Sequence, residues 1–305
     1  MNDQLSEHAR PSKNERRAEA REKARQLRQV HEKKERRNRL LLQGGVALAA
    51  VAIIAVIALV LVNSVRPDGP GPRNMASDGI RIGEGFAAVA TPALAAGDLP
   101  VVSEANPAGV VDIQIVIDYL CPVCGEFEAT NRDFISTLVE SGAATVEYRP
   151  IAILTSRSAG TEYSLRAANA AACVANSAPD AFFDFNTRLF NEQPEEGTPG
   201  VDDARLIEFA SAAGAGANSI ETCITERTFE SWVRAATERA QNGPLAIRGI
   251  EIEGIAGTPT IFVNGRVYDY SYPFDQDEFA QFVLQAAGDE FSENPTPTPA
   301  PTPSP

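Results

Sequence analysis

The polar and apolar positions of this chain divide it into stretches of different period. Residues 40–62, LLLQGGVALAAVAIIAVIALVLV, carry no charge and are broken only by Gln43, Gly44 and Gly45. At about 1.5 Å per residue, a helix of that length spans a hydrocarbon core roughly 30 Å thick. The run therefore predicts one N-terminal transmembrane helix. A helix buried in a soluble core would keep a polar face. A cleaved signal peptide would have a shorter apolar run, and the following LVNSVRPDG offers no small-x-small cleavage site.

Past this run, residues 108–292 read as a globular body. VVDIQIVI at 110–117 alternates Ile113, Ile115 and Ile117 with Asp112, Gln114 and Val116, the period of a strand. Pro122 suits the first turn of a helix, and Phe127, Asn131, Phe134 and Leu138 follow at helical spacing. ATVEYRPI at 144–151 predicts the next strand. From 161 to 242 the pattern is helical, with stripes such as Ile220, Cys223 and Ile224 or Phe229, Trp232, Val233 and Ala236. The loop at 191–203 interrupts it. TIFV at 260–263, then Asn264 and Gly265, then Arg266, Val267 and Tyr268 predict a β-hairpin. A last helix opens with Asp275 as N-cap, Glu278 completing a capping box, and Phe274 with Phe279 as a hydrophobic staple. Its inward face would be Phe279, Phe282, Val283 and Ala286. Strand, helix, strand, helical block, hairpin and helix make an α/β layer fold with a helical insertion.

Residues 63–107 predict a Pro/Gly-rich linker followed by a short hairpin and an approach loop. The tail at 293–305, rich in Thr-Pro, predicts an extended, disordered end.

Charge sharpens this division. The formal net charge of -14 argues against a nucleic-acid partner held by a basic field, but it averages unlike parts. Residues 1–39 hold 13 Lys/Arg against 7 Asp/Glu, whereas residues 63–305 hold 14 Arg, no Lys and 34 Asp/Glu. The basic flank with Arg36, Arg37 and Arg39 predicts a cytoplasmic arm at 1–39 and an extracytoplasmic domain beyond the span. Both histidines, His8 and His31, fall on the cytoplasmic side, and all four cysteines fall on the other.

Cys121 and Cys124, two residues apart at a strand-to-helix junction, form a candidate reactive dithiol. Cys121 at the helix N-cap would have its thiolate favoured by free N–H groups and the helix dipole. Cys124, one turn inside, could attack a mixed disulfide formed at Cys121. A zinc site would need two further ligands, and only Cys173 and Cys223 are at hand outside. With no histidine there, a Ser-His-Asp or Cys-His hydrolase site is excluded. A purely structural disulfide between Cys121 and Cys124 would close too small a ring to constrain the unfolded chain much.

IDYLCPVC after a strand, followed about 130 residues later by GIAGTPTIFVNGR, resembles the DsbA-like, membrane-anchored branch of the thioredoxin superfamily, of bacterial, actinobacterial type, over residues 108–290. The resemblance implies a thioredoxin fold formed by 108–160 and 243–292, with 161–242 as an inserted α-helical domain. It implies that the Thr258–Pro259 bond is cis and faces the dithiol, where the Thr258 backbone would pair with an extended client segment. Asp118 matches an acidic position of the relatives, read either as proton handling for Cys124 or as a solvated strand-end carboxylate. Two departures stand out. Ile115 occupies the position of the family's buried acid, and Val123 that of a histidine in strongly oxidising relatives. With Glu126 and Glu128 nearby disfavouring the Cys121 thiolate, the couple should be less oxidising than theirs. The even cysteine count and the similar actinobacterial proteins imply a structural Cys173–Cys223 disulfide. Two free buried thiols or a second redox relay are the alternatives.

The expected function is disulfide donation to exported client proteins, with reoxidation by a membrane partner of the DsbB or VKOR type and no bound cofactor. An isomerase or reductase role, or a non-redox peptide-binding module or chaperone, would also use these residues.

Overall fold

In a computed structural model, the described residues are 69–293 together with positions 21, 22, 25, 28, 34, 43–45, 48 and 51–56. The basic arm and the 40–62 run therefore lie largely outside the described residues, as does the 294–305 tail. The described N-terminal positions are helical and exposed. Among the described residues no helix is long and apolar enough to cross a membrane. The chain divides into two compact units, residues 1–66 and 67–305, and the sheet belongs to the second.

The centre of the second unit is a five-stranded sheet in the order β1-β3-β2-β4-β5. The strands are β1 (Ile80–Ile82), β2 (Val111–Ile117), β3 (Ala144–Pro150), β4 (Thr260–Val263) and β5 (Arg266–Val267). β2 runs parallel to β3, with Ile115 beside Tyr148, and antiparallel to β4, with Ile115 beside Ile261. The parallel step is bridged by α1 (Pro122–Glu140), and α7 (Gln276–Glu293) follows the β4–β5 hairpin. Asn264 and Gly265 both take positive φ, as the Asn-Gly signal predicts.

The alternation in β2 sorts residues to two faces, yet all seven are buried. On one face Ile113, Ile115 and Ile117 pack on Phe127, Ile135 and Phe279 in the main core. On the other, where an alternating strand predicts solvent, a polar layer is closed over. The Glu147 carboxylate meets Arg149 at 2.6 Å and accepts hydrogen bonds from the hydroxyls of Ser77 and Ser103, each at 2.7 Å. Gln114 donates to Asp112 at 2.7 Å and accepts from Arg149 at 3.0 Å.

The roof of this layer corrects the linker reading of 63–107. Met75, Ile80 and Ile82 are buried. β1 pairs with β3 and also makes the short hairpin expected from Ile80, Ile82 bridging Ala88 antiparallel with the Val89 N–H donating to the Arg81 carbonyl at 2.8 Å, while Arg81 donates to the Glu104 carbonyl at 2.6 Å. An uncovered β3 would leave a row of unpaired backbone groups, which three residues of β1 satisfy.

The insertion comprises α2 (Tyr163–Ser177), α3 (Phe182–Asn191), α4 (Asp203–Ala212), α5 (Asn218–Thr225) and α6 (Glu230–Asn242). α2 is buried from Tyr163 to Ala175. Its run of alanines allows α3 and α5 to approach on different sides, which explains a helix without a polar face. At α7, Asp275 caps the N–H of Asp277 at 2.9 Å. The capping box is only half made, because Glu278 accepts from the Ser271 N–H at 3.2 Å. Phe274 and Phe279 meet through Phe127, at ring distances of 5.4 and 5.3 Å.

Candidate active site

β2 ends at Ile117, and the turn through Asp118, Tyr119 and Leu120 delivers Cys121 to the N-cap of α1 with Pro122 in the first turn. The Cys121 N–H donates to the Asp118 carbonyl at 3.0 Å, and its own carbonyl accepts from the Gly125 N–H at 3.2 Å. Cys124 follows one turn later. Both thiols are free and buried, Cys121 retaining 6% exposure and Cys124 none.

The two thiols titrate in opposite directions. Hydrogen bonding from the Cys124 thiol, then the nearby Thr258 hydroxyl and the Cys124 N–H, hold Cys121 down to about 6 against burial. Burial first, and then the bond to Cys121, push Cys124 well above an ordinary thiol. At neutral pH the pair therefore holds one proton, on Cys124, and one accessible nucleophile, Cys121.

The antiparallel pairing of β4 with β2 sets Thr260 beside Val116. The residues just before β4 thus reach the end of β2 that leads to the dithiol. Thr258–Pro259 is cis, and the Cys121 thiol donates to the Thr258 carbonyl at 3.2 Å. The Thr258 hydroxyl is buried without a hydrogen bond of normal geometry, and it lowers Cys121 by its proximity.

Asp118 is fully buried, which removes the reading of a solvated strand-end carboxylate. Its carboxylate accepts from the Leu120 N–H at 2.9 Å, the Leu154 N–H at 2.9 Å and the Ser164 hydroxyl at 2.8 Å. Burial outweighs these bonds and raises its pKa to about 6. Asp118 is the carboxylate that opposes the Cys121 thiolate. Of the two expected in that role, Glu126 engages the Tyr272 hydroxyl. Glu128 is turned fully inward, where burial raises its pKa to about 7.

Three parts of the site had no sequence signal. The Gln193 side chain, in the loop after α3, donates to the Tyr119 carbonyl at 3.1 Å and the Cys121 carbonyl at 2.8 Å. Gly125 leaves room for it: a Cβ there would lie 2.2 Å from Gln193 Oε1. Tyr270, Tyr272 and Phe274 form an aromatic chain at ring distances of 4.8 and 5.9 Å, with the Tyr270 hydroxyl 3.4 Å from the Pro259 carbonyl. The Gln193 contacts join residues about 70 positions apart, whereas the aromatic chain is local and reaches the cis-proline loop only through Tyr270. Away from the dithiol, Cys173 on α2 and Cys223 on α5 are joined by a disulfide, which excludes two free thiols at those positions.

A strand feeding a Cys-x-x-Cys helix N-terminus, faced by a cis-proline loop, defines a thiol–disulfide exchange site on a thioredoxin fold. Residues 105–283 match the family model described as Thioredoxin. Two structures from Mycobacterium tuberculosis are similar at 30% identity. The reduced disulfide bond oxidoreductase DsbG has a TM-score of 0.52, covering 70% of this chain and 89% of its own. Oxidised DsbA has a TM-score of 0.51, covering 69% and 93%. The serine/threonine-protein kinase PknE of the same organism is 29% identical over 165 residues, 53% of this chain and 28% of the kinase. The chain thus spans just over a quarter of the length of the curated relatives it matches. The chain belongs to the thioredoxin family, and its domain is a DsbA-like protein thiol–disulfide oxidoreductase.

Proposed function

We propose that the protein is anchored by residues 40–62 in a bacterial cell membrane, faces outward, and donates the Cys121–Cys124 disulfide to exported client proteins. The observation that carries this reading is the site's geometry: Cys121 and Cys124 are free thiols at the N-terminus of α1, with the Cys121 thiol 3.2 Å from the carbonyl that precedes cis-Pro259. In the oxidised protein a client thiolate attacks Cys121 Sγ, and the Cys121–Cys124 bond breaks. Cys124 leaves and takes up a proton, for which buried Asp118 is the neighbouring acid. A second client thiolate then attacks the client sulfur of the mixed disulfide and expels the Cys121 thiolate. The client loses two electrons and gains a disulfide, and the protein is left as the dithiol. The low pKa of Cys121 makes it a good leaving group in this second step. The Thr258 carbonyl and the neighbouring aromatic chain suit an extended client segment added alongside the cis-proline loop. A membrane partner of the DsbB or VKOR type would accept the two electrons.

The test is trapping in cells with Cys124→Ala. The reading expects mixed disulfides between Cys121 and exported proteins. Their absence, together with complementation by Cys121→Ser, would replace this reading with a non-redox binding role. Purified chain that unscrambles ribonuclease but fails to oxidise the reduced enzyme would place it as an isomerase.

A further inference from the structure

Gly125 sits inside α1, with a φ outside the positive range. A glycine there has no backbone purpose, and alanine would favour the helix by about 1 kcal/mol. The atoms that a Cβ at Gly125 would meet most closely are Oε1, Cδ and Nε2 of Gln193, at 2.2, 3.1 and 3.5 Å. Both donor bonds of the Gln193 amide are used on the active-site turn, at the carbonyls of Tyr119 and Cys121. The Cys121 bond, at 2.8 Å, is shorter than the helical bond that the same carbonyl accepts from Gly125, at 3.2 Å.

We propose that Gln193 is a positioning residue for the redox couple, the contact through which the helical insertion sets the state of Cys121, and that Gly125 is the vacancy that admits it. The Cys121 thiolate depends on donors from Cys124 and Thr258, so it depends on where the Cys121 backbone is held. Gln193 holds that backbone on both sides of Leu120, through the carbonyls of 119 and 121. Release of the clamp lets the turn relax and lengthens the bonds that stabilise the thiolate. The reduced form is then weakened, and the couple becomes less oxidising. The proposal rests on the dithiol-exchange reading and extends it to a residue of the insertion.

The test is a double-mutant cycle on the full chain with Gly125→Ala, Gln193→Ala and the combined variant. Two quantities are read: the equilibrium constant with glutathione, and the pH midpoint of Cys121 alkylation by iodoacetamide. Each single variant should move the glutathione equilibrium about fivefold toward the protein disulfide, the worth of one net hydrogen bond, and raise the alkylation midpoint. In the combined variant the alanine at 125 meets no amide, so its effect should match Gln193→Ala alone. Unmoved equilibrium and midpoint in both single variants would overturn the proposal. So would a Gly125→Ala effect that persists undiminished in the Gln193→Ala background. A wild-type chain with no two-electron couple at Cys121–Cys124 would overturn the functional reading, and this proposal with it. A normal wild-type couple with unmoved variants overturns this proposal alone.

Discussion

Lowering the pH from 8 to 5 should selectively weaken the reduced protein. The folded Cys121 titrates at about 6 against an ordinary thiol value of 9.0. A depressed folded pKa gives stability that is fully present above 9.0 and is lost as pH falls through about 6. Linkage over that window makes the reduced form about 2.5 kcal/mol more stable at pH 8 than at pH 5 before screening. Cys121 keeps slight exposure, and solvent screening reduces the effect to about 1–2 kcal/mol. Asp118 and Glu128 have raised pKa values and titrate oppositely, costing stability as pH rises through about 6 and about 7. Both carboxyls are present in the oxidised protein too, so their contributions cancel to first order in the reduced-minus-oxidised difference. The assay is urea unfolding of the two redox forms at pH 5, 6, 7 and 8. A matching potentiometric titration should show a slope near 59 mV per pH unit below pH 6 and about 30 mV above it, since two electrons then carry one proton. A stability gap that stays flat between pH 5 and 8 would refute the account of the Cys121 thiolate.

Other perturbations probe separate parts of the argument. Thr258→Val removes the buried hydroxyl that stabilises the thiolate and should raise the alkylation midpoint of Cys121, read by mass spectrometry across pH. Replacing Cys173 and Cys223 together by alanine opens a crosslink of sequence separation 50 and should cost about 4 kcal/mol in urea unfolding, with the Cys121–Cys124 potential retained. Glu128→Gln removes a carboxyl whose ionisation is penalised by burial. The variant should gain about 1–3 kcal/mol relative to wild type at pH 8 compared with pH 5, and parallel pH profiles would show that Glu128 ionises freely.

Much of the site was legible because its chemistry is local. Cys121, Pro122 and Cys124 follow a strand within one turn of helix, so spacing alone places both sulfurs at the same helix end. The Asn264-Gly265 turn and the inward face of α7 are legible for the same reason, being set by neighbours in sequence. The family resemblance added Thr258 and Pro259, which no local pattern would have linked to residues more than 130 positions earlier.

The remainder depended on contacts between distant segments. Whether Asp118 is wet or buried is decided by Leu154 and Ser164, which close over it. The polar residues of β2 face inward because segments outside the sheet, bringing Ser77, Ser103 and the Ala246 carbonyl, close over its second face, and the period of a strand does not report what covers it. Glu126 and Glu128 share one helix with Cys124, yet packing turns Glu128 inward and leaves Asp118 as the carboxylate that acts on Cys121. Gln193 and Gly125 carry no signal apart, and only their contact gives either one a role. Sequence by itself determined the reactive pair, the order of the elements and the charge division along the chain. Tertiary structure decided which donors and acids surround the sulfurs, because burial and hydrogen bonding depend on segments that meet only after folding.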